Sequence, residues 1–392
     1  MAKILALNGG SSSIRFAVFD RAGGGVPPRG KRALLRGKID RVGTAGARIR
    51  VDEQAQEVPI PAGSAPGPFL LDWLGSHAAG DGIEAVGHRI VHGMRHTEPT
   101  LVSQPLLEEL KGLIPFDREH LPREIELIEA VHARRPGLPQ VLCFDTAFHR
   151  DMPRVAALLP IPRRYFAAGI RRYGFHGLSY TYLVEELRRI GDAAVDAGRV
   201  ILAHLGSGAS LAAVLDGKCL DTSMSFTPTA GLVMGTRSGD LDPGLMSYLA
   251  ASEGMSPERF AAMVSHESGL LGISETSADV RDLLEREQSD ARAAEALAIF
   301  SYQARKWIGA FAAALGGCDT LVFAGGIGEN SAPVRERICA ALGFLGVRLN
   351  EEANAVHASC ISHAGSRVTV RVIRTDEEAV IAALTIRTLN SA

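Results

Sequence analysis

One strand-loop-strand pattern occurs twice in this chain, and the repetition limits the folds open to it more than any other feature. The first copy reads Ile4-Leu5-Ala6-Leu7, then Asn8-Gly9-Gly10-Ser11-Ser12-Ser13, then Ile14 to Asp20. The second reads Ile201-Leu202-Ala203-His204, then Leu205-Gly206-Ser207-Gly208-Ala209-Ser210, then Leu211 to Leu215. Gly9 falls on Gly206 and Ser13 on Ser210 at one constant offset, so the spacing predicts a duplicated domain. Each copy is a turn of small residues between two apolar strands, and such a turn presents backbone N–H groups and hydroxyls to an anion. Two such turns facing each other would form a phosphate-binding cleft.

Other segments extend the duplication. Val141-Leu142-Cys143-Phe144 and Thr320-Leu321-Val322-Phe323-Ala324 are short continuous apolar runs, the pattern of strands buried on both faces. The first ends at Asp145-Thr146 and the second at Gly325-Gly326, and we equate the two. Strand-like runs also cover Arg48 to Val51 and Ala85 to Val91, while Leu106 to Leu110 and Ile125 to Val131 have helical spacing. Ala22 to Gly30, rich in Gly and Pro, reads as a long hairpin loop. The pattern predicts helices over Asp279 to Glu287, with Ser277 as N-cap, and over Ala291 to Leu315, stopped by Gly316-Gly317. A last helix follows Thr375-Asp376-Glu377-Glu378, read as a capping box, and would pack back on the first domain. With 392 residues, two α/β domains of mixed sheet flanked by helices are expected.

Bulk composition removes several classes of function. A net charge of -2 with interspersed signs leaves no basic patch to follow a nucleic acid. The longest apolar helical stretch, Trp307 to Leu315, is far short of the roughly 20 residues of a membrane span. Ile4 to Leu7 is too short for a secretory leader, so a cytoplasmic location is expected. The 5 cysteines form no C-x-x-C pair, which favours reduced thiols over disulfides or zinc. His88, His92 and His96 recur at four-residue steps, but on a strand that step spans roughly 13 Å, too far to share one ion.

Candidate chemistry lies in a few places. Gly325-Gly326-Ile327-Gly328-Glu329-Asn330 joins a buried strand to a helix, where glycines admit a ligand to the backbone and the helix start favours negative charge. It fits neither the dinucleotide nor the P-loop fingerprint and, by itself, reads first as a tight strand-to-helix turn. Arg89 and Arg237 stand among glycines and small residues, a setting for bidentate capture of carboxylate or phosphate, or for a structural ion pair. His176 is exposed on a loop between Gly174 and Gly177, as a donor or as an ordinary hydrogen-bonded histidine. Asp145 ends a buried strand, and the capping box leaves Glu377 free, so Glu377 and an amide such as Asn8 would suffice for magnesium.

Taken together these segments resemble the acetate kinase family, within the superfamily of acetate and sugar kinases, actin and Hsp70. The match runs through Asn8-x-Gly10-Ser11-Ser12-Ser13, Gly87-His88-Arg89-Ile90-Val91-His92-Gly93, Phe144 to His149, Tyr173 to Gly177 and His204 to Ser210. It continues through Asp221 to Met224, Gly235 to Gly244 and Gly325 to Asn330. The resemblance implies two duplicated ribonuclease H-like, actin-like ATPase domains with an interdomain active-site cleft. One would comprise residues 1–148 with 378–392, and the other, binding nucleotide and forming a homodimer, residues 149–377. It further implies reversible, direct in-line transfer of the ATP γ-phosphoryl group to acetate, giving acetyl phosphate and ADP, with Mg2+ or alternatively Mn2+.

In residue terms, the resemblance implies metal binding near Asn8 and Glu377. It implies nucleotide contacts at His204, Leu205, Gly206, Ser207 and Gly208, at Asp279, Val280 and Arg281, and at Gly326, Ile327, Gly328, Glu329 and Asn330. Arg15 takes a position that is usually lysine. Arg89 and Arg237 would hold the carboxylate and the moving phosphoryl group, His176 would donate to that group, and Asp145 would orient a partner or the metal shell. Val91, Phe116, Phe175 and Pro228 match the family's methyl pocket, and Phe116, in place of a smaller leucine, argues against butyrate. Where the family usually has His-Asn-Pro this chain has Asp117-Arg118-Glu119, then His120, and Ser207 replaces an asparagine. These departures keep open a second reading, a kinase for propionate or another short carboxylate, or one with a different phosphoryl donor.

Overall fold

The computed structural model describes residues 2–10, 13–21, 33–40, 46–51, 56–61 and 63–391. The loop expected at Ala22 to Gly30, and Ser11 and Ser12 of the first turn, lie outside the described residues. The chain forms two compact units, Met1–Phe148 with Gly177–Tyr182 and Asp376–Ala392, and His149–His176 with Leu183–Thr375. Asp376 and Glu377 thus pack with the first unit, because the last helix begins at Glu377.

The first unit is built on one mixed sheet. Its strands are β1 (Lys3–Gly9), β2 (Ser13–Asp20), β3 (Leu35–Asp40), β4 (Arg48–Val51), β5 (Gln56–Pro59), β6 (Ile83–Ile90), β7 (Thr100–Leu101) and β8 (Gln140–Phe144), in the order β5-β4-β3-β2-β1-β6-β8-β7. β1 and β2 form the antiparallel hairpin expected from the first repeat, while β6 and β8 run parallel beside it. Side chains alternate across a strand, so Ile4 and Ala6 face one side and Leu5 and Leu7 the other, and both sides are buried. That double burial explains why the strands read as unbroken apolar runs. One face packs on the helix Glu377–Ser391 through Val380, Ile381 and Ile386. Gly87 permits the close approach, since a Cβ there would lie 2.6 Å from Ile381 Cγ2.

The second unit repeats the plan. Its strands β9 (Arg199–Leu205), β10 (Ala209–Leu215), β11 (Lys218–Thr222), β12 (Thr320–Ala324) and β13 (Thr369–Val372) lie in the order β11-β10-β9-β12-β13. This copies the order β3-β2-β1-β6-β8, strand for strand and direction for direction. The topology corrects one equivalence drawn from sequence. Thr320–Ala324 pairs directly with β9, so its counterpart is β6 rather than Val141 to Phe144, whose counterpart is β13. Apolar runs look alike wherever a strand is buried on both faces, and pairing alone tells them apart.

Helix ends also differ in detail from expectation. The helix Val280–Arg286 is capped by Asp279, whose side chain accepts from Arg281 N–H, and not by Ser277. Ser277 instead accepts from Asp279 N–H and donates to Asp282. The helix Ala291–Leu315 has the bounds predicted, with Asp290 as N-cap and Gly316 in the left-handed conformation at its end. Gly325–Asn330, expected as a loop, is a short helix followed by the helix Ala332–Cys339.

Candidate active site

In the first unit the polar residues gather at the ends of β1, β6 and β8. Asn8 lies opposite Arg15 in the hairpin ladder. Its amide donates to Glu377 Oε2 at 2.8 Å and to Glu378 Oε1 at 3.0 Å. Glu378 also accepts from Arg36 Nη1 at 3.1 Å, so it faces inward and does not complete a capping box. Asp376 caps this helix, accepting from Ala379 N–H at 3.0 Å. Burial pushes both glutamates above the ordinary carboxylate range; Arg89 opposes this at Glu377, and the neighbouring Glu377 reinforces it at Glu378. The carboxyl oxygens and the amide oxygen of Asn8 make a hard oxygen donor set suited to magnesium, which keeps waters and substrate phosphates for its remaining positions. Among the described residues, no three His, Cys, Asp or Glu side chains form a closed metal site.

Arg89 is the centre of this half. Its Nε and Nη2 donate to Asp145 Oδ2 at 2.9 and 2.6 Å, and Nη1 donates to the Gly9 carbonyl at 2.9 Å. A guanidinium carries five N–H groups. Among the described residues, one N–H on each terminal nitrogen therefore remains for a ligand, in the fork that matches a carboxylate or a phosphate. Burial works against its charge, but Asp145, Glu377 and Glu124 outweigh that and hold it protonated. Asp145 is 1% exposed, and its other oxygen accepts from Leu178 N–H at 3.3 Å, so both of its oxygens are engaged. The structural ion pair read as one alternative for Arg89 is thus present, with Asp145 as its partner.

At the Asp117 departure, His120 is a local partner of one carboxyl oxygen. Asp117 Oδ1 lies 2.9 Å from His120 Nδ1 and accepts from His120 N–H at 3.1 Å. Burial opposes its charge, yet these contacts hold the carboxyl below its ordinary range. Of the three spaced histidines, His88 is a core residue, 2.7 Å from Gln140 Oε1 and pushed by burial to about 4. His96 stacks on Phe144 and lies 3.1 Å from Glu109.

The second unit brings its own set together at the ends of β9, β10 and β12. His176 Nδ1 is 2.8 Å from Ser210 Oγ, and its ring stacks on His204 with centroids 4.3 Å apart. These contacts hold a residue whose backbone is left-handed, at φ 57°. A Cβ added at Gly208 would lie 3.4 Å from His176 Nε2 and 3.7 Å from Arg237 Nη1, so imidazole and guanidinium flank the glycine turn. Arg237 comes from the loop after Met234, which docks on that turn through Gly235 N–H and the Ser207 carbonyl at 2.9 Å. Gly239 closes this loop at φ 75°, with the Gly231 and Leu232 carbonyls 2.6 Å from where a Cβ would sit.

The remaining nucleotide candidates are placed as follows. β9 and β12 are parallel neighbours, so the turn of Leu205 to Gly208 adjoins Gly326, Ile327 and Gly328. Glu329 Oε1 accepts from Gly325 and Thr375 N–H at 3.0 and 3.1 Å, and Asn330 donates to the Gly326 carbonyl at 2.9 Å. Both side chains therefore brace the short helix. Asp279 spends its carboxylate on Arg281 and the helix start, Val280 is buried, and Arg281 is exposed. Of the apolar pocket candidates, Val91 and Phe116 belong to the first unit and Phe175 and Pro228 to the second. Pro228 accepts from Arg237 at 3.3 Å, and Phe175 is 1% exposed.

Two residues with clear roles were not read from sequence. Glu124, 3% exposed, accepts from Val91 N–H. Its signal was a carboxylate four residues before Ile128 on the apolar face of its helix. Arg335, fully buried, ties the short helix Gly325–Asn330 to the following elements.

Comparison with known proteins agrees along the whole chain. The model of the acetokinase family matches residues 3–383. An acetate kinase of Phocaeicola vulgatus is 39% identical over 99% of this chain and 100% of its own, and one of Methylocella silvestris is 40% identical over 99% and 98%. Among solved structures, an acetate kinase of Porphyromonas gingivalis superposes with a TM-score of 0.87 at 34% identity, covering 99% of this chain and 100% of that one. A propionate kinase of Francisella tularensis gives 0.89 at 35% identity, covering 98% and 99%. With its two mixed sheets of one topology and its glycine turns at matching strand ends, this chain belongs to the acetokinase family.

Proposed function

We propose that this protein transfers the γ-phosphoryl group of ATP to acetate, reversibly and in line, giving acetyl phosphate and ADP. The observation that carries the reading is that His176 Nε2 and Arg237 Nη1 lie 3.4 and 3.7 Å from where a Cβ on Gly208 would sit, so charge developing on a phosphoryl group there would be met by two donors. Phosphoryl transfer leaves the protein little covalent work, so positioned cations supply most of the rate. Acetate is already ionised at neutral pH and needs no general base. Arg89, held by Asp145, offers its two outward N–H groups to the carboxylate. The backbone N–H groups of Ser207 and Gly208 and of Gly326 to Gly328 cradle the nucleotide phosphates.

Magnesium would be held by Asn8 and Glu377. When bound, it neutralises charge on the nucleotide phosphates. Replacing Glu377 with glutamine is expected to raise the magnesium concentration for half-maximal rate by roughly tenfold, read from a magnesium titration of turnover. We further propose that the protein works as a homodimer in the cytoplasm, where its free thiols stay reduced.

Val91 and Phe116 favour a very short acyl chain, and the similarity to a propionate kinase makes propionate the competing acceptor. One methylene in an apolar pocket changes selectivity by about 10-fold or more. A hydroxamate assay over acetate, propionate and butyrate, with ATP and pyrophosphate as donors, should give acetate and ATP the highest kcat/KM. A higher value for propionate or for pyrophosphate would replace this substrate assignment with the second reading.

A further inference from the structure

We propose that Glu124 is a positioning residue that sets acceptor selectivity by fixing Val91 through its backbone N–H. The inference rests on the proposed function, in which Val91 lines the acyl pocket and Arg89 meets the carboxylate. β6 ends at Ile90, so the N–H groups that follow have no sheet partner and must find others. Three of them donate to side chains. Gly93 N–H donates to Thr146 Oγ1 and Met94 N–H to His92 Nδ1, both at 3.2 Å. Val91 N–H is shared between Glu124 Oε2 at 3.1 Å and Oε1 at 3.2 Å. Glu124 therefore anchors the pocket wall at the first residue beyond the strand.

Burial makes this an unusual anchor. Glu124 stands in the first turn of the helix Leu121–Arg134, on the face that also buries Ile128 and Val131. A carboxylate in an apolar site is costly unless a cation or hydrogen bonds compensate it. Burial pushes this carboxyl well above the ordinary carboxylate range, with Arg89 opposing the shift. Loss of Glu124 would free Val91 without touching the nucleotide turns.

Two variants grade the anchor. Glu124→Gln keeps one of the two oxygens that share the Val91 N–H, whereas Glu124→Ala removes both. With purified full-length protein, Glu124→Ala should raise the acetate KM about tenfold and lower the acetate-to-propionate ratio of kcat/KM severalfold, while the ATP KM stays within about twofold. Glu124→Gln, which is isosteric and so guards against failure of the alanine variant to fold, should raise the acetate KM less and keep more of that ratio. Hydrogen exchange in the absence of substrate should show faster exchange at Val91 in Glu124→Ala than in the parent, by about tenfold. Unchanged exchange at Val91 overturns the anchor, and parental acetate KM and selectivity in both variants overturn the role in acceptor choice. Equal rises in acetate and ATP KM would do the same, by showing a general loss of structure. A parent protein inactive on every acid would instead overturn the proposed function, and the exchange measurement would still decide the anchor.

Discussion

Arg237→Ala should lower kcat about 10³-fold while leaving the ATP KM within about threefold, because the guanidinium is placed to meet charge that develops only during transfer. The loop that carries it is pinned without its side chain. Met234 N–H donates to the Arg237 carbonyl at 3.0 Å, Ser238 N–H to Val264 at 2.9 Å, and Leu270 N–H to Met234 at 2.8 Å. The substitution therefore removes a donor and leaves the turn. Steady-state kinetics with direct nucleotide titration tests this, and a kcat equal to the parent's would exclude Arg237 from the reaction. Arg237→Lys should recover little, since an ammonium cannot reproduce the planar fork.

The largest effect on stability is expected at Arg335. This side chain is fully buried, and all three of its nitrogens are bonded: Nε to Asn354 Oδ1 at 2.8 Å, Nη1 to the Gly328 and Glu329 carbonyls at 2.9 and 3.0 Å, and Nη2 to the Asn354 carbonyl at 2.8 Å. Nη2 also lies 2.9 Å from His357 Nδ1. Burial lowers its pKa to about 10, still high enough to keep it charged at neutral pH. Arg335→Ala removes those bonds and leaves a cavity with unsatisfied carbonyls, a loss of about 3–5 kcal/mol. Thermal unfolding should fall by roughly 10 °C. The two carbonyls that Arg335 holds belong to the short helix Gly325–Asn330, so the ATP KM of the surviving folded protein should rise as well. A melting temperature within about 1 °C of the parent would show that water or a neighbour replaces the guanidinium.

Much of the fold was legible because it rests on local patterns. The duplicated hairpins, the helix Ala291–Leu315 with its glycine stop, and the packing of the C-terminal helix on the first unit follow from period, turn residues and caps. Equating Thr320–Ala324 with Val141 to Phe144 failed because burial on both faces gives all central strands the same apolar signature. The capping-box reading failed for a related reason. Thr375, Asp376 and Glu378 all have the chemistry of a helix start, and the choice among them depended on Asn8 and Arg36, remote in sequence.

The sequence alone determined which residues carry charge and donors: Arg89, Asp145, His176, Arg237, Asn8 and Glu377, placed in glycine-rich turns at the ends of apolar runs. Tertiary structure decided how each is used, because a side chain's role depends on the partners that folding brings to it. Arg89 becomes a held fork only when Asp145 and Gly9 meet it, and His176 faces Gly208 only because Ser210 and His204 hold its ring. Glu124 and Arg335 were invisible as functional candidates, since an isolated charge on a helix reads as solvated until packing shows it to be buried. Desolvation raises the strength of every such contact, and burial is settled only by the assembled core.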